Sequence, residues 1–335
     1  MKSNKLTFGL IGAGRIGKMH AENIISNFPH VNLKAVVDLK LDFEWAENVG
    51  IPNRSNDFAT ITNDSEIDAV IITTPSDTHV DMIKLVSESG KNIFCEKPIA
   101  FDLDSIQQAI DSVEKAGVIL QVGFNRRFDP DYLKVKKAVE SGEIGQPHII
   151  NITSRDPKRP DIKFIPGSGG LFMDFCVHDF DMVRYLTGSD VDEIYVRGAN
   201  LVDPKIGELG DIDTALITLK LSNGALCNID ICRETNYGYD QQIEVFGSKG
   251  SIRAQNLKPT SVLYSSKDGI SSDPLYYSFI ERYKEAYIEE IKGFIDCLEN
   301  NTQPTVDGND TYKAVMVAIA AQKSLKLNKP VSLKR

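Results

Sequence analysis

The chain lacks a disulfide pattern, a long apolar run and an excess of positive charge. Its five cysteines are odd in number and contain no CxxC pair, which predicts reduced thiols and a cytoplasmic protein. No apolar run approaches the roughly 20 residues of a membrane span. The net charge of −9 argues against nucleic acids and anionic membranes as partners. A globular protein that binds a small molecule fits these absences best.

The length of 335 residues predicts two domains, one over residues 1–125 and one over residues 126–335. In the first, apolar strand patterns alternate with amphipathic helix patterns, which predicts a doubly wound parallel sheet of the Rossmann type with helices on both faces. The predicted strands are residues 6–11, 33–37, 69–73, 93–95 and 118–122, and the predicted helices are residues 16–27, 78–89 and 105–116.

From about residue 148 the pattern changes to strands in succession, which predicts an α/β domain with an open, largely antiparallel sheet. Residues 215–221 and 225–230 should pair as a hairpin, because Asn223-Gly224 between them is a strong turn signal. One helix, over residues 170–187, interrupts these strands. Helices over residues 279–299 and 310–326 close the chain, and they are candidates to pack back on the first domain.

A glycine-rich loop follows the first predicted strand. Gly12, Gly14 and Gly17 have GxGxxG spacing, which permits a tight turn, close approach to a pyrophosphate and packing of the next helix. Asp38 ends the second strand, where its carboxylate would accept ribose hydroxyls and repel a 2′-phosphate. This pattern predicts NAD rather than NADP; the alternative for Asp38 is a helix cap. The predicted cofactor loop also includes Arg15 and Ile16.

Two further strand ends point to the same edge of the sheet, where open α/β sheets bind ligands. Glu96-Lys97-Pro98 follows the strand at residues 93–95, and alternation predicts that Glu96 and Lys97 point in opposite directions. One can anchor to protein while the other faces the cleft. Thr73 and Pro75 are expected to line the nicotinamide side of the site. The alternative for Lys97 is a solvated surface lysine. His79, in the helix after Pro75, is interpreted as structural.

Asp174, His178 and Asp181 share one face of the helix predicted over residues 170–187. A histidine with a pKa near neutrality suits removal of an alcohol proton, and Asp174 would orient it or the substrate. The alternative is a capping aspartate with a core histidine. A metal set of Asp174, Cys176 and His178 is not favoured, because Cys176 points away from that face. No metal is predicted.

Polar residues at other loop positions are candidates for substrate contact. Arg127 follows the strand at residues 118–122, and it could instead form salt bridges with Asp129 or Asp131. Asp156 ends a strand of the second domain. Tyr237 lies between two strands of that domain, where its hydroxyl suits a polyhydroxylated ligand, although packing is the usual role of such aromatics.

Taken together, these motifs resemble the glucose–fructose oxidoreductase / inositol dehydrogenase family (Gfo/Idh/MocA) over nearly the full length, and within it the bacterial inositol 2-dehydrogenases most. The residues that carry the resemblance are Gly12-x-Gly14-x-x-Gly17, Glu96-Lys97-Pro98, residues 121–127 (QVGFNRR), and Asp174-x-x-x-His178-Asp179-x-Asp181; the finer match rests on residues 154–157 (SRDP), 168–172 (SGGLF) and 237–240 (YGYD).

The resemblance implies that Lys97, Asp174 and His178 form the catalytic group, and that the protein is a tetramer packed through its C-terminal sheet. It implies NAD-dependent oxidation of a ring alcohol of a cyclic polyol, namely C2 of myo-inositol, to a ketone. Two alternatives remain within enzymes, scyllo-inositol and an aldopyranose. A non-catalytic, NAD-gated sugar-binding regulator is the alternative from another class.

Overall fold

The computed structural model describes residues 5–333; the outermost residues of the two predicted domains, 1–4 and 334–335, lie outside the described residues. The strands are β1 (Leu6–Ile11), β2 (Val31–Val37), β3 (Asn53–Ser55), β4 (Ala69–Ile72), β5 (Asn92–Glu96), β6 (Leu120–Gly123), β7 (Pro147–Arg155), β8 (Val191–Ala199), β9 (Thr214–Leu221), β10 (Leu226–Cys232), β11 (Asp240–Gly247), β12 (Gly250–Ala254), β13 (Leu263–Ser266), β14 (Gly269–Ser272) and β15 (Val331–Ser332).

The α-helices alternate with strands in the first third of the chain and are sparser afterwards. They are α1 (Arg15–Asn27), α2 (Phe43–Asn48), α3 (Ala59–Thr62), α4 (His79–Glu88), α5 (Leu103–Ala116), α6 (Pro130–Glu140), α7 (Val177–Thr187), α8 (Pro204–Glu208), α9 (Phe279–Arg282), α10 (Lys284–Asn300) and α11 (Gly308–Leu327). Within residues 5–333, no helix is both long enough and apolar enough to cross a membrane.

Two compact units make up the chain. The first contains the residues up to Phe128 together with Glu285–Lys313, and the second contains Asp129–Lys284 together with the residues from Ala314 onward. The division after Phe128 lies three residues beyond the predicted boundary at 125. Helix α10 and the start of α11 therefore cluster with the first unit, whereas most of α11 clusters with the second.

The first unit contains a six-stranded, all-parallel sheet in the order β3-β2-β1-β4-β5-β6. This is the Rossmann strand order, so the predicted fold class is confirmed. One face of the sheet packs on α10, because the Phe294 ring lies 5.9 Å from that of Phe8 and 6.0 Å from that of Phe94. The carboxyl ends of β1, β2, β4 and β5 meet at one edge, which carries the glycine loop and Lys97.

The second unit contains a seven-stranded sheet in the order β12-β11-β7-β10-β9-β8-β15. The pair β7–β10 is parallel and the others are antiparallel, so the predicted open, largely antiparallel sheet is confirmed. The hairpin β9–β10 forms as predicted, and Gly224 occupies its turn with φ of +90°. Inward-facing positions of β9 are buried and alternate with exposed ones, which is typical of a sheet covered on one face.

Two predicted helices differ in the structure, and the four helices α2, α3, α6 and α8 have no predicted counterpart. Residues 170–187 do not form one continuous α-helix, because a π-helical turn over Phe172–Cys176 precedes α7. The helix predicted over residues 279–299 is divided at Tyr283 into α9 and α10. Helix α6, capped by Asp129, was not predicted from the sequence.

Candidate active site

The turn between β1 and α1 is confined by backbone on two sides. Gly12 has φ of +96°, and a Cβ there would lie 2.8 Å from the Thr73 carbonyl carbon. A Cβ at Gly17 would lie 2.0 Å from the Gly12 oxygen. The Thr73 hydroxyl donates a hydrogen bond of 2.6 Å to that same oxygen. Close packing of loop, helix and β4 therefore requires glycine at both positions.

Gly14 differs from the other two glycines because a Cβ there would meet nothing within 4 Å. Gly14 is the N-cap of α1, no side chain of the described chain caps the helix there, and its first turn contains no acidic residue. Backbone N–H groups at such a helix start, with the positive end of the helix dipole, bind phosphate. The open space, the N-terminus and the neighbouring Arg15 and Ile16 fit the pyrophosphate of a dinucleotide.

Asp38 lies directly after β2 and is held by backbone. Its Oδ2 accepts a hydrogen bond of 2.6 Å from the Ala13 N–H, and its Oδ1 accepts one of 2.7 Å from the Lys40 N–H. These bonds tie the carboxylate to the glycine loop rather than to the start of a helix. Each oxygen retains a lone pair that a ribose hydroxyl can use. The residue that caps α2 is Asp42, so the capping alternative for Asp38 is not what the structure shows.

Glu96 and Lys97 come at the end of β5. The side chain of Glu96 lies on the α1 side of the sheet, where its Oε1 is 2.9 Å from Nε2 of His20. Phe94, two residues earlier on the same strand face, also packs on the His20 ring, with ring centroids 5.2 Å apart. Lys97, half-buried, follows at the carboxyl end of the strand. Strand alternation thus anchors Glu96 to protein and directs the next residue away from that anchor.

His79 has structural contacts, in agreement with its interpretation from the sequence. The ring is 1% exposed, and its two nitrogens lie 2.8 Å from the carbonyl oxygens of Pro98 and Thr74. Burial lowers the pKa of His79, against the opposing effect of these two carbonyls. The side chain thereby links the Thr74-Pro75 loop to the residues after Lys97. Thr73 itself is bonded to the glycine loop, and Pro75 is exposed beside it.

Asp174 and His178 stand out on their segment. Every other side chain from residue 171 to residue 183 is buried, whereas these two are half-exposed. Asp174 lies in the π-helical turn and His178 in the first turn of α7, so the extra residue of the π turn sets the angle between them. Asp181, predicted on the same face, is only 1% exposed and therefore belongs to the interior. Cys176, between Asp174 and His178, is fully buried.

Arg233 is the residue near Asp174 that sequence reasoning missed. Its side chain is 1% exposed; its Nη1 donates to Asp174 Oδ2 at 3.2 Å, and its Nη2 donates to Asp211 Oδ2 at 3.4 Å. Asp211 in turn accepts the Leu171 N–H at 3.0 Å, at the start of the π turn. A buried guanidinium thus orients Asp174. The available signal was an arginine directly after the apolar strand β10.

Tyr237 belongs to a polar network at the ends of β7, β10 and β11. Its hydroxyl donates to Asp240 Oδ2 at 2.6 Å and accepts from Arg155 Nη1 at 2.8 Å, while Arg155 also forms an ion pair with Asp230. Burial and the bond to Asp240 raise the pKa of Tyr237, so its hydroxyl stays protonated at neutral pH. Tyr237 is 47% exposed and can still contact a ligand. Asp156 directly follows β7, and its N–H donates to the Cys232 carbonyl at 3.0 Å.

Arg127 has a structural partner. Its guanidinium, with a side chain 5% exposed, pairs with both carboxylate oxygens of Asp310 at 2.8 and 3.1 Å and donates to the Thr305 carbonyl at 2.9 Å. Asp129, offered by the sequence as a partner of Arg127, instead binds Arg282 at 2.6 Å. These contacts favour a structural role for Arg127, and its contact with substrate stays a prediction.

Two domain families match the chain. Residues 6–124 match the oxidoreductase family with an NAD-binding Rossmann fold, and residues 132–253 match the GFO/IDH/MocA C-terminal domain. The two matches together cover more than half of the described residues. This chain belongs to the GFO/IDH/MocA oxidoreductase family. The predicted family and the NAD-binding character of the first unit are therefore confirmed.

Sequence relatives in the GFO/IDH/MocA family extend over almost the whole chain. An uncharacterized oxidoreductase of Bacillus subtilis is 49% identical over 99% of this chain and 97% of its own length. A myo-inositol 2-dehydrogenase of Thermotoga maritima is 42% identical over 98% of both chains. An NAD⁺-dependent scyllo-inositol 2-dehydrogenase of Bacillus subtilis is 39% identical over 97% of this chain and 95% of its own.

Solved structures of the same family have the same fold. A probable dehydrogenase from Thermotoga maritima has a TM-score of 0.96 at 42% identity, covering 98% of this chain and 99% of that one. A scyllo-inositol dehydrogenase from Lactobacillus casei, solved with bound NAD(H) and scyllo-inositol, has a TM-score of 0.91 at 30% identity, covering 98% and 99%. This GFO/IDH/MocA chain is an oxidoreductase that uses NAD.

Proposed function

We propose that this chain is an NAD-dependent inositol 2-dehydrogenase that oxidises the C2 hydroxyl of myo-inositol to a ketone. The observation that carries the proposal is the pair of half-exposed polar residues, Asp174 and His178, on an otherwise buried segment. The chain that contains this pair is 42% identical, over nearly its full length, to a myo-inositol 2-dehydrogenase. Both the acid–base group and the overall similarity support an alcohol dehydrogenase of cyclic polyols.

In the proposed mechanism His178 acts as the general base. Its imidazole removes the proton of the substrate hydroxyl as the carbon–hydrogen bond at that carbon breaks. Lys97 donates a hydrogen bond to the same oxygen and stabilises the negative charge that develops on it. Asp174, oriented by Arg233, holds the histidine or the substrate in place. When bound, NAD supplies C4 of its nicotinamide as the hydride acceptor, so NADH and the ketone are the products.

The cofactor is held by residues of the first unit in this proposal. The N–H groups at the start of α1, from Gly14 through Gly17, bind the pyrophosphate, and Asp38 binds the adenosine ribose. Thr73 and Pro75 complete the nicotinamide side, and Glu96, predicted with them, contributes by fixing the backbone of Lys97 rather than by its own contact with the cofactor. Acid–base chemistry by His178 and Lys97 needs no metal ion, so we propose that the reaction is metal-independent.

The remaining hydroxyls of the ring are proposed to contact polar residues of the second unit. Tyr237 and Asp156 can each accept a hydrogen bond from a polyhydroxylated ring, since the single hydroxyl proton of Tyr237 is donated to Asp240. Arg127 stays a weaker candidate because Asp310 already binds it. Ser154, one of the residues that carry the resemblance to inositol 2-dehydrogenases, is fully buried and donates to Gln241 at 3.1 Å. Its effect on the preferred isomer would therefore be indirect.

The test is NADH formation measured against a panel of myo-inositol, scyllo-inositol, other inositol isomers and aldopyranoses. The highest kcat/KM for myo-inositol supports the proposal. A preference for scyllo-inositol would favour the activity of the 39% identical relative. NAD and polyol binding without any NADH would instead identify a non-catalytic regulator, the alternative from another class.

We further propose that the protein is a homotetramer of the cytoplasm. The outer face of the second sheet is the proposed contact surface, because Phe246, Ile149 and Leu226 are neighbours in register on β11, β7 and β10 and are 46%, 41% and 54% exposed. Such a contiguous apolar row is typical of an interface. The five cysteines are free thiols, which suits a reducing compartment.

A further inference from the structure

A buried group of ionisable side chains lies behind β5 in the first unit. It consists of His20 on α1, Glu96 on β5 and Glu290 on α10, hereafter the buried cluster. Nε2 of His20 is 2.9 Å from Oε1 of Glu96 and 3.9 Å from Oε1 of Glu290. The side chains of His20 and Glu290 are 0% exposed and that of Glu96 is 15% exposed.

Within the buried cluster, Glu290 is the residue with the most unsatisfied hydrogen-bonding atoms. Neither carboxyl oxygen of Glu290 has a hydrogen-bond partner among residues 5–333, and neither does Nδ1 of His20. A carboxylate that is fully buried and unpaired is very costly, whereas a protonated carboxyl is not charged and can donate. Burial, and then the charge of Glu96, raise the pKa of Glu290 well above its ordinary value.

A metal ion is the other species that three such ligands can hold, since their ligand atoms lie within 4.8 Å of one another. A histidine that binds a metal almost always donates its other ring N–H to a second partner, which fixes the ring. In the part of the chain that the structure describes, Nδ1 of His20 has no such partner. The buried cluster therefore fits a bound proton better than a bound cation.

Glu96 is held on several sides. Within the buried cluster, His20 Nε2–H can donate to its Oε1, and the Lys97 N–H donates to its Oε2 at 3.3 Å. A Cβ at Gly123 would lie 3.0 Å from the carboxyl carbon of Glu96, so the carboxyl group fills the space that this glycine leaves. Fixing Glu96 fixes the backbone from which the next residue, Lys97, projects.

We propose that Glu290 is a neutral carboxylic acid which, with His20, keeps Glu96 as the single carboxylate of the buried cluster and so positions Lys97. The inference rests on the proposed function, in which Lys97 acts at the substrate hydroxyl. Glu290 and His20 are positioning residues, because they act through Glu96. Ionisable neighbours of the buried cluster include the Cys95 thiol, the His79 ring on α4 and the Lys97 ammonium. The Tyr287 ring on α10 also packs on His20, with ring centroids 5.8 Å apart.

The first test compares unfolding of wild type and Glu290→Gln by urea across about pH 6 to about pH 8. Because the folded-state pKa of Glu290 is raised, its stabilising effect is complete at low pH and declines as pH rises toward that pKa. The unfolding constant of wild type, divided by that of the variant, should rise with pH, by about tenfold per pH unit for as long as Glu290 stays protonated in the folded protein. A ratio that does not change with pH would overturn the proposal.

Glu289→Gln is the matched control, since Glu289 is the neighbouring residue on α10 with a side chain 40% exposed. Its ratio to wild type should stay constant with pH. If Glu290→Gln does not fold, NMR of wild type labelled with ¹³C at glutamate Cδ replaces it. One glutamate signal should keep the protonated chemical shift at about pH 7; a spectrum in which every glutamate is ionised contradicts the proposal.

A functional comparison tests the positioning step. Glu290→Ala should lower kcat about tenfold or more with an unchanged Kd for NAD, and Glu290→Gln should recover most of that loss. If kcat fell equally in Glu290→Ala and Glu290→Gln, the positioning role of Glu290 would be refuted. Metal analysis provides a further check. If purified wild type contained one divalent metal ion per chain and Glu290→Gln did not, the proposal that Glu290 holds a proton would be wrong. The urea and NMR measurements need no substrate, so they remain decisive even if inositol is not oxidised.

Discussion

At the residue scale, the chemistry depends on a few polar side chains placed among buried ones. Asp174 and His178 are half-exposed between buried neighbours, and the buried Arg233 donates to Asp174 at 3.2 Å. Lys97 follows Glu96, which binds His20 on the other side of the sheet. In each case a buried residue fixes the position of an accessible one. Substitution of the accessible residue should therefore affect chemistry more than folding.

Replacing Lys97 or His178 by Ala should lower kcat by about a hundredfold or more, as for a positioned acid–base group. The Kd for NAD should hardly change in His178→Ala, because the glycine loop is untouched. Steady-state kinetics and fluorescence titration with NADH measure the two effects. Lys115→Ala and His30→Ala, at exposed positions of the first unit, are the controls and should behave as wild type. Near-normal turnover in both Lys97→Ala and His178→Ala would refute the assignment.

The preference for NAD over NADP should be at least about tenfold in kcat/KM and should depend on Asp38. Asp38→Ser should relax it by removing the carboxylate that repels a 2′-phosphate. Since this carboxylate also accepts the Ala13 and Lys40 N–H groups, Asp38→Ser should weaken NAD binding as well. Asp38→Asn retains an acceptor but not the charge, so it separates the two effects. Equal efficiency of wild type with both cofactors would be inconsistent with this role.

At the element scale, caps and close contacts decide how loops are held. The loop between β1 and α1 is packed against Thr73 at Gly12 and Gly17 and open at Gly14. Asp129 caps helix α6: its Oδ1 accepts the Asp131 and Tyr132 N–H groups, and its Oδ2 binds Arg282. One side chain thus caps a helix and neutralises a buried arginine. In the glycine loop, paired variants can separate cofactor binding from packing. At Asp129, they can separate the helix cap from the ion pair.

Gly17→Ala should mainly reduce stability, whereas Gly14→Ala should mainly reduce NAD binding. A Cβ at Gly17 would lie 2.0 Å from the Gly12 oxygen, so this variant should lose at least about 2 kcal/mol of unfolding free energy. A Cβ at Gly14 meets no protein atom within 4 Å, so that variant should lose about 1 kcal/mol or less. Its Kd for NAD should nevertheless rise at least about tenfold, because the methyl group enters the pyrophosphate space. Calorimetric titration and urea unfolding distinguish these results; unchanged NAD binding in Gly14→Ala would place the cofactor elsewhere.

Asp129→Asn retains the α6 cap but leaves the buried Arg282 without its carboxylate, and it should cost about 3 kcal/mol of unfolding free energy. The arginine and aspartate side chains are 1% and 3% exposed, so solvent cannot replace the lost charge. Asp129→Ala also removes the cap and should cost about 1 kcal/mol more. Asp102→Ala removes the cap of α5, where Asp102 Oδ1 accepts the Ser105 N–H at 2.8 Å, and serves as the control at about 1 kcal/mol. A similar cost for Asp102→Ala and Asp129→Ala would mean that the ion pair contributes little.

At the scale of the whole molecule, two sheets that differ in coverage carry the cofactor site and the proposed assembly surface. The parallel sheet of the first unit is buried by helices, and it carries the predicted cofactor residues at one edge. The sheet of the second unit leaves Leu216, Leu226, Phe246 and Ile149 more than 40% exposed. Apolar patches of this kind are typical of interfaces, so this face is the proposed contact surface between copies of the chain.

Leu226→Glu, at one end of the row of Phe246, Ile149 and Leu226, should convert the proposed tetramer to smaller species, because association would bury an unpaired carboxylate. Light scattering coupled to size-exclusion chromatography measures the mass of wild type and variant. Leu201→Glu, at a residue 76% exposed outside the sheet strands, is the control and should keep the wild-type mass. A monomeric wild type would refute assembly through this face.

The sequence by itself determined the local features. The strand–loop–helix at Gly12 to Gly17, the hairpin at Asn223-Gly224 and the alternation of strands with helices depend on nearest neighbours, so spacing and turn residues predict them. The choice of Asp38, Lys97, Asp174 and His178 followed from residue type at strand ends and on one helix face, helped by resemblance to a known family. Their roles stay predictions, but their positions at the sheet edge and on the half-exposed segment agree with the pattern.

Only the tertiary structure decided which distant residues hold these groups. Arg233 meets Asp174 across 59 residues, Asp310 meets Arg127 across 183, and Glu290 lies beside His20 after the chain returns to the first unit. No spacing rule relates such pairs, because each contact depends on how whole elements pack. The π turn before α7, the burial of Asp181 and the pairing of Arg127 were decided in the same way. Periodicity describes a helix in isolation, whereas burial and partners are properties of the packed molecule.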